Sequence, residues 1–138
     1  MTTSLSPLID THCHFDVADF DMDRAEVAAR AIDAGVEAIV IPGYLASEWP
    51  TLFRVCASLT APRLLPAPGL HPCYVETHEP SHLDELERLL QQAPGIVAVG
   101  EIGLDHFVDA LKVPALKEKQ QYFFRAQLEL AQSHDLPV

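Results

Sequence analysis

The alternation of short apolar runs with longer stretches of helical period constrains this chain more than any other feature. Apolar runs near residues 8–9, 38–41, 64–65 and 96–99 each give way to turn residues and then to an amphipathic segment. Over 21–34, Val27, Ala28, Ala31 and Ile32 share one stripe, and Gly35 supplies a stop. Ser47 is placed to cap a second helix carrying Leu52, Val55, Cys56 and Leu59. Ser81 is placed to cap a third, with Leu83, Leu86, Leu89 and Leu90 on its apolar face. The longest helix is expected over 115–134, with Leu116, Phe123, Phe124, Leu130 and Ala131 inward. This order predicts βα units and a parallel sheet, with strands near 7–12, 37–42, 64–69 and 96–101. Prolines weaken the third strand, and Leu136-Pro137-Val138 reads as the opening of a fifth.

The strands are apolar on both faces, as a parallel sheet covered by helices requires. Two architectures fit: an open doubly wound sheet, or part of a (β/α)8 barrel. No glycine-rich dinucleotide loop follows the first strand, because Gly35 is the first glycine of the chain. Polar residues gather instead where strands end: His12 and His14, then His71, then Glu101 and Asp105. The C-terminal ends of parallel strands are where such folds build active sites.

Charge and length narrow the function. The 138 residues make one domain, 1–138, with twenty acidic residues against nine basic and a net charge of -11. A broad basic surface for nucleic acid is therefore excluded, and an acidic substrate would need local help from bound cations. The apolar runs are too short to cross a bilayer. The first seven residues lack the basic and apolar regions of a secretion signal. Cys13, Cys56 and Cys73 are odd in number and without a CxxC pair, so they read as free thiols in a reducing, cytoplasmic compartment.

His12-Cys13-His14 is the sharpest local motif. Residues two apart on a strand point to the same side, so both imidazoles can face one point, and neutral imidazole ligates zinc and similar ions. Cys13 is expected to point away and pack between sheet and helices. Glu101, in Val-Gly-Glu-Ile-Gly-Leu-Asp, could bridge two metal ions or make a rim salt bridge, with Gly100 and Gly103 permitting close backbone approach. Asp105 is read as supporting a ligand histidine, with a turn-forming role as the alternative. His71 is a candidate for contact with substrate or a ligand. Asp10 lies on the same strand face as the two histidines and is expected deeper in the sheet, as a buried carboxylate. His78, His82, His106 and His134 read as surface residues.

Four motifs together carry a resemblance: Asp10-Thr11-His12-Cys13-His14-Phe15-Asp16, Gly69-Leu70-His71-Pro72, Val99-Gly100-Glu101-Ile102-Gly103-Leu104-Asp105, and Gln127-Leu128-Glu129-Leu130-Ala131 running to Leu136-Pro137-Val138. In order and spacing the chain resembles the TatD family of metal-dependent hydrolases, (β/α)8 barrels of the amidohydrolase type known chiefly as deoxyribonucleases. The resemblance implies that His12 and His14 bind one divalent ion and that Glu101 bridges to a second, the ions being zinc, magnesium or manganese. It implies DNA as substrate. It also implies an incomplete barrel: four βα units and the start of a fifth strand, against roughly 250 residues for a whole barrel. The family's later metal-binding histidines and its aspartate have no counterpart here. The expectation is a metal-dependent phosphodiesterase whose 138-residue chain is inactive alone. The alternatives are an esterase or lactonase acting on a small molecule, and an incompetent half-barrel that self-associates through open sheet edges.

Overall fold

Three parallel strands lie side by side in chain order: β1 (Leu8–Asp10), β2 (Val36–Pro42) and β3 (Arg63–Ala67). They belong to a computed structural model that describes residues 6–138. Most of the amino-terminal stretch examined for a secretion signal thus lies outside the described residues. Asp10 pairs with Ile39, and Pro42 with Ala67. This register brings the carboxyl ends of all three strands to one rim. Parallel pairing needs a crossover between strands, and the helices supply it: α1 (Arg24–Asp33), α2 (Trp49–Cys56), α3 (Pro80–Gln92) and α4 (Pro114–Ser133).

Helix boundaries follow local chemistry. Gly35 closes α1 at φ +92°, in the left-handed region where a side chain is strained. Two caps differ from expectation. Ser47 falls in a 3-10 turn, Ala46–Glu48, and α2 begins only at Trp49, with Pro50 in its first turn. Ser81 is already inside α3; Glu79 is the cap, and its N–H donates to His82 Nδ1 at 3.1 Å. Proline in the first turn explains both shifts, since its fixed φ suits that position and its missing N–H costs nothing there.

The fourth expected strand is not a regular one. Residues 96–100 run beside β3, held by Val97 N–H to Pro66 O (3.1 Å) and Gly100 N–H to Pro68 O (3.2 Å). A parallel ladder would need return donors from residues 66, 68 and 70. Pro66 and Pro68 have none, and the Leu70 N–H is taken by Gln127 Oε1 at 2.7 Å. On the far side, Val99 N–H reaches Pro137 O at 3.0 Å, so the expected fifth segment takes its place next in the arc.

Trp49, Leu52, Val55, Ile41, Leu70, Leu86, Val99 and Phe123 form the core between sheet and helices. Cys13 packs against it, as expected of the residue between two outward histidines. The opposite face of the sheet is uncovered among the described residues. It lines an apolar groove of about 830 Å3 walled by Ile9, Val40, Leu65, Val97 and Phe124.

Candidate metal centre

The strand geometry of β1 continues past its last paired residue, because Cys13 N–H donates to Val40 O at 3.1 Å. His12 and His14 therefore emerge on one side, their rings 5.2 Å apart and nearly perpendicular. Glu101 is brought to them by backbone contacts at the end of β2. Its N–H donates to Gly43 O at 2.7 Å, while Gly43 N–H is shared between Ala67 O and Gly100 O, both at 2.8 Å.

The Glu101 carboxylate faces three imidazoles. Oε2 lies 3.2 Å from His12 Nε2 and 3.5 Å from His14 Nε2, and Oε1 lies 3.1 Å from His71 Nε2. Histidines from two strand exits, far apart in sequence, thus converge on one carboxyl group. His71 has its other nitrogen engaged, since Cys73 N–H donates to Nδ1 at 3.0 Å. A neutral ring that accepts at Nδ1 carries its proton on Nε2. His71 is then a donor to Glu101, whereas His12 and His14 present Nε2 toward the same carboxylate oxygen.

His12, His14 and Glu101 offer ligand atoms that all lie within 4.8 Å of one another. Two donors on one tetrahedral zinc ion, each about 2.0–2.1 Å from it, are about 3.3 Å apart, which the 3.2 Å and 3.5 Å pairs match closely. Two imidazoles and a carboxylate also make a donor set suited to zinc or a harder divalent ion. The residues present therefore fit a divalent cation.

The other expected site residues are placed differently. Asp10 is exposed, not buried, and its Oδ1 accepts the His12 N–H at 3.1 Å. Among the described residues β1 is an edge strand with its three residues exposed, and no further strand covers that carboxylate. Asp105 reaches no ligand histidine. Its Oδ1 accepts from Val108 N–H (2.8 Å) and Phe107 N–H (3.0 Å), and Oδ2 lies 3.8 Å from Cys73 Sγ. Those backbone donors, Val108 first, hold its carboxyl below the ordinary carboxylate value. These bonds make Asp105 a turn former, as a short acceptor that meets the nearest loop amides.

The roles of several supporting residues were not legible in the sequence, although Asp16 and Gln127 stand within the motifs quoted above. Gln127 on α4 is fully buried; it accepts from Leu70 N–H and donates to Leu70 O at 3.2 Å, clamping the residue before His71. Two turns earlier on the same helix, Gln120 Oε1 accepts the Asp105 N–H at 2.7 Å. His78, expected at the surface, is 1% exposed; its Nε2 bonds His71 O at 2.8 Å and its ring packs on Phe123. Burial lowers its pKa, so the ring is held neutral. Asp16 is buried near His14 with Oδ1 unpartnered among the described residues, and burial raises its pKa. Only the i, i+7 spacing of two polar residues on an otherwise apolar helix face pointed toward Gln120 and Gln127.

Arg24, by contrast, is committed to structure: its guanidinium donates to Phe15 O and Val17 O and pairs with Asp21. Lys112 pairs with Asp109.

A sequence profile described as TatD-related DNase matches residues 9–138. The chain is 40% identical over 131 residues to the metal-dependent hydrolase YjjV of Escherichia coli K12, covering 94% of this chain and 48% of that protein. It is 32% identical over 131 residues to the 3'-5' ssDNA/RNA exonuclease TatD of a Pantoea species, covering 95% of this chain and 48% of the relative. The crystal structure of Escherichia coli YjjV, a TatD homologue, superposes with a TM-score of 0.85 at 39% identity, over 95% of this chain and 49% of that one. The chain spans about half the length of the curated relatives it matches.

Proposed function

The chain belongs to the TatD-related DNase family, and from that premise we propose that it carries the metal centre of a divalent-metal-dependent phosphodiesterase acting on DNA. The observation that carries this reading is the single carboxylate of Glu101 facing the Nε2 atoms of His12, His14 and His71. In this reading His12 and His14 would hold one divalent ion, and Glu101 would be shared with a second.

Zinc, magnesium or manganese bound there supplies Lewis-acid activation of water and neutralises phosphate charge. The chain's own residues do the positioning. Gly43 fixes the Glu101 backbone; Gln127 and His78 hold the His71 segment through Leu70 and the His71 carbonyl. His71 holds a proton at Nε2, 3.1 Å from Glu101 Oε1, and so orients the carboxylate. With a net charge of -11 the protein grips nucleic acid locally, at a strand end, rather than along a basic surface.

The test is to strip the protein with chelator, restore zinc or manganese, and compare hydrolysis of a single-stranded oligonucleotide with that of a carboxylic ester. In a full-length protein carrying this segment, metal-dependent phosphodiester cleavage that vanishes in Glu101→Ala is expected. Faster turnover of the ester would assign the centre to a small-molecule esterase instead.

The uncovered apolar face of the sheet favours a second reading for these 138 residues by themselves. Ile9 is 57% exposed on edge strand β1, beside the 830 Å3 groove. Edge and face together promote self-association, with little or no nuclease activity. Solution mass by light scattering checks this: a stable monomer that cleaves DNA well would refute it.

A further inference from the structure

A second cavity shares two walls with the metal centre. It encloses about 360 Å3 and is lined by His14, Val17, Tyr44, His71, Cys73 and Tyr74. That volume is within the range of small-ligand pockets. The rings form a continuous series. His14 meets Tyr44 edge-on at 5.8 Å, Tyr44 lies against Tyr74 at 5.5 Å with a 43° tilt, and Tyr74 meets His71 at 5.8 Å. His14 and His71 are also the residues whose Nε2 atoms lie 3.5 Å and 3.1 Å from the Glu101 carboxylate. A group bound against Tyr74 is thus one residue's width from the reacting position.

The lining selects the chemistry of the occupant. It holds no lysine or arginine, so it does not attract phosphate. It has aromatic faces for a flat ring, and two imidazoles and two phenols for polar ring edges. Tyr74 is 42% exposed, leaving an open face on which a planar group can lie, with Tyr44 half-buried behind it. Stacking on an aromatic face is how proteins hold unpaired bases without reading their sequence.

We propose that the Tyr44–Tyr74 pocket is a nucleobase-stacking subsite, which takes the unpaired base adjacent to the phosphodiester held at Glu101. The inference rests on the phosphodiesterase reading for its biological substrate, but the subsite itself is testable without hydrolysis. A base paired within a duplex has no free face to offer, so the subsite favours single-stranded or frayed ends. It also replaces the basic surface the chain lacks.

The experiment titrates the metal-free chain with thymidine 5'-monophosphate and, separately, with 2-deoxyribose 5-phosphate, following binding by calorimetry or NMR shifts. The nucleotide is expected to bind at least about 10-fold more tightly than the sugar phosphate, which has the same charge and no base. Tyr74→Leu should remove that difference, and Tyr74→Phe should keep it within about twofold, because the ring face and not the hydroxyl does the holding. The exposed position of Tyr74 predicts unchanged melting for both variants. Equal binding of the two ligands overturns the subsite, as does full nucleotide affinity in Tyr74→Leu. A normal base preference combined with no metal-dependent cleavage of any oligonucleotide by a full-length protein carrying this segment would sink the phosphodiesterase reading and leave the subsite standing.

Discussion

Gly69 lies so close to Gly100 that a Cβ on Gly69 would sit 2.5 Å from the Gly100 carbonyl carbon and 2.7 Å from its oxygen. The neighbouring atoms are backbone and cannot swing aside. Gly43 completes the contact, since its own Cβ would lie 2.9 Å from Gly69 N. Two glycines, Gly43 and Gly69, therefore let the backbones meet at residue 100, and that meeting aims Glu101 at the histidines.

Gly69→Ala is accordingly expected to destabilise the fold by about 1–3 kcal/mol, as overpacking of a filled site does. It should also weaken metal binding by pushing residue 100 away. Denaturant unfolding and a zinc titration on the same variant check both effects. Normal zinc affinity would show that the glycine contact does not position Glu101.

Removing the central carboxylate should act on the metal and spare the fold. Loss of a group that merely supports a ligand costs 10–100-fold in metal affinity, so Glu101→Ala should cost at least about 100-fold. The side chain is one-third exposed, and the melting temperature should hardly move. Competitive titration with a chromogenic chelator measures the first, and circular dichroism the second.

Gln127→Met keeps the volume but leaves the N–H and C=O of Leu70 without their buried partners. Each such group costs about 1–3 kcal/mol, so a loss of about 2–6 kcal/mol is expected. Protection of the Leu70 amide against hydrogen exchange should fall with it.

His78 makes stability depend on pH. Burial lowers its pKa below the ordinary 6.5, so the unfolded chain takes up a proton more readily than the folded one. The stabilisation is present above 6.5 and is lost as pH falls through 6.5 toward the folded value. Melting curves between pH 7.5 and pH 5.5 should show His78→Gln losing less stability over that range than the unaltered protein. An identical pH response in the two would place the ring's charge outside the balance.

Burial also pushes the Cys56 thiol from 9.0 up to about 12. At pH 8 its thiolate population, and hence its alkylation rate, should be lower than that of an ordinary thiol by roughly 1000-fold. Peptide mapping after iodoacetamide treatment should find Cys56 unmodified in the folded protein.

Much of the centre was legible in the sequence because strand periodicity is local. A His-x-His at a strand exit must present both rings to one side, and a carboxylate at another parallel exit must reach the same rim. Histidines elsewhere were less legible. His78 has no apolar period around it, and its burial comes from α4 closing over the 3-10 turn Pro72–Thr77. The opposite error was made for Asp10, because strand alternation says which side a residue faces and not whether another layer covers that side.

By itself the sequence determined the alternation of strands and helices, the parallel order and the family, each of which is carried by short motifs whose residues lie close together along the chain. The tertiary structure alone decided how those donors meet. Glu101 owes its aim to Gly43 and Gly69, and the His71 segment owes its place to Gln127 across 57 positions of sequence. It also decided that Pro66 in β3 and Pro68 just beyond it deny the fourth segment a regular ladder, and that two tyrosines line a pocket beside the histidines. Such contacts arise only when distant segments pack, because close approach and hydrogen-bond satisfaction are properties of facing surfaces and leave no period in either segment alone.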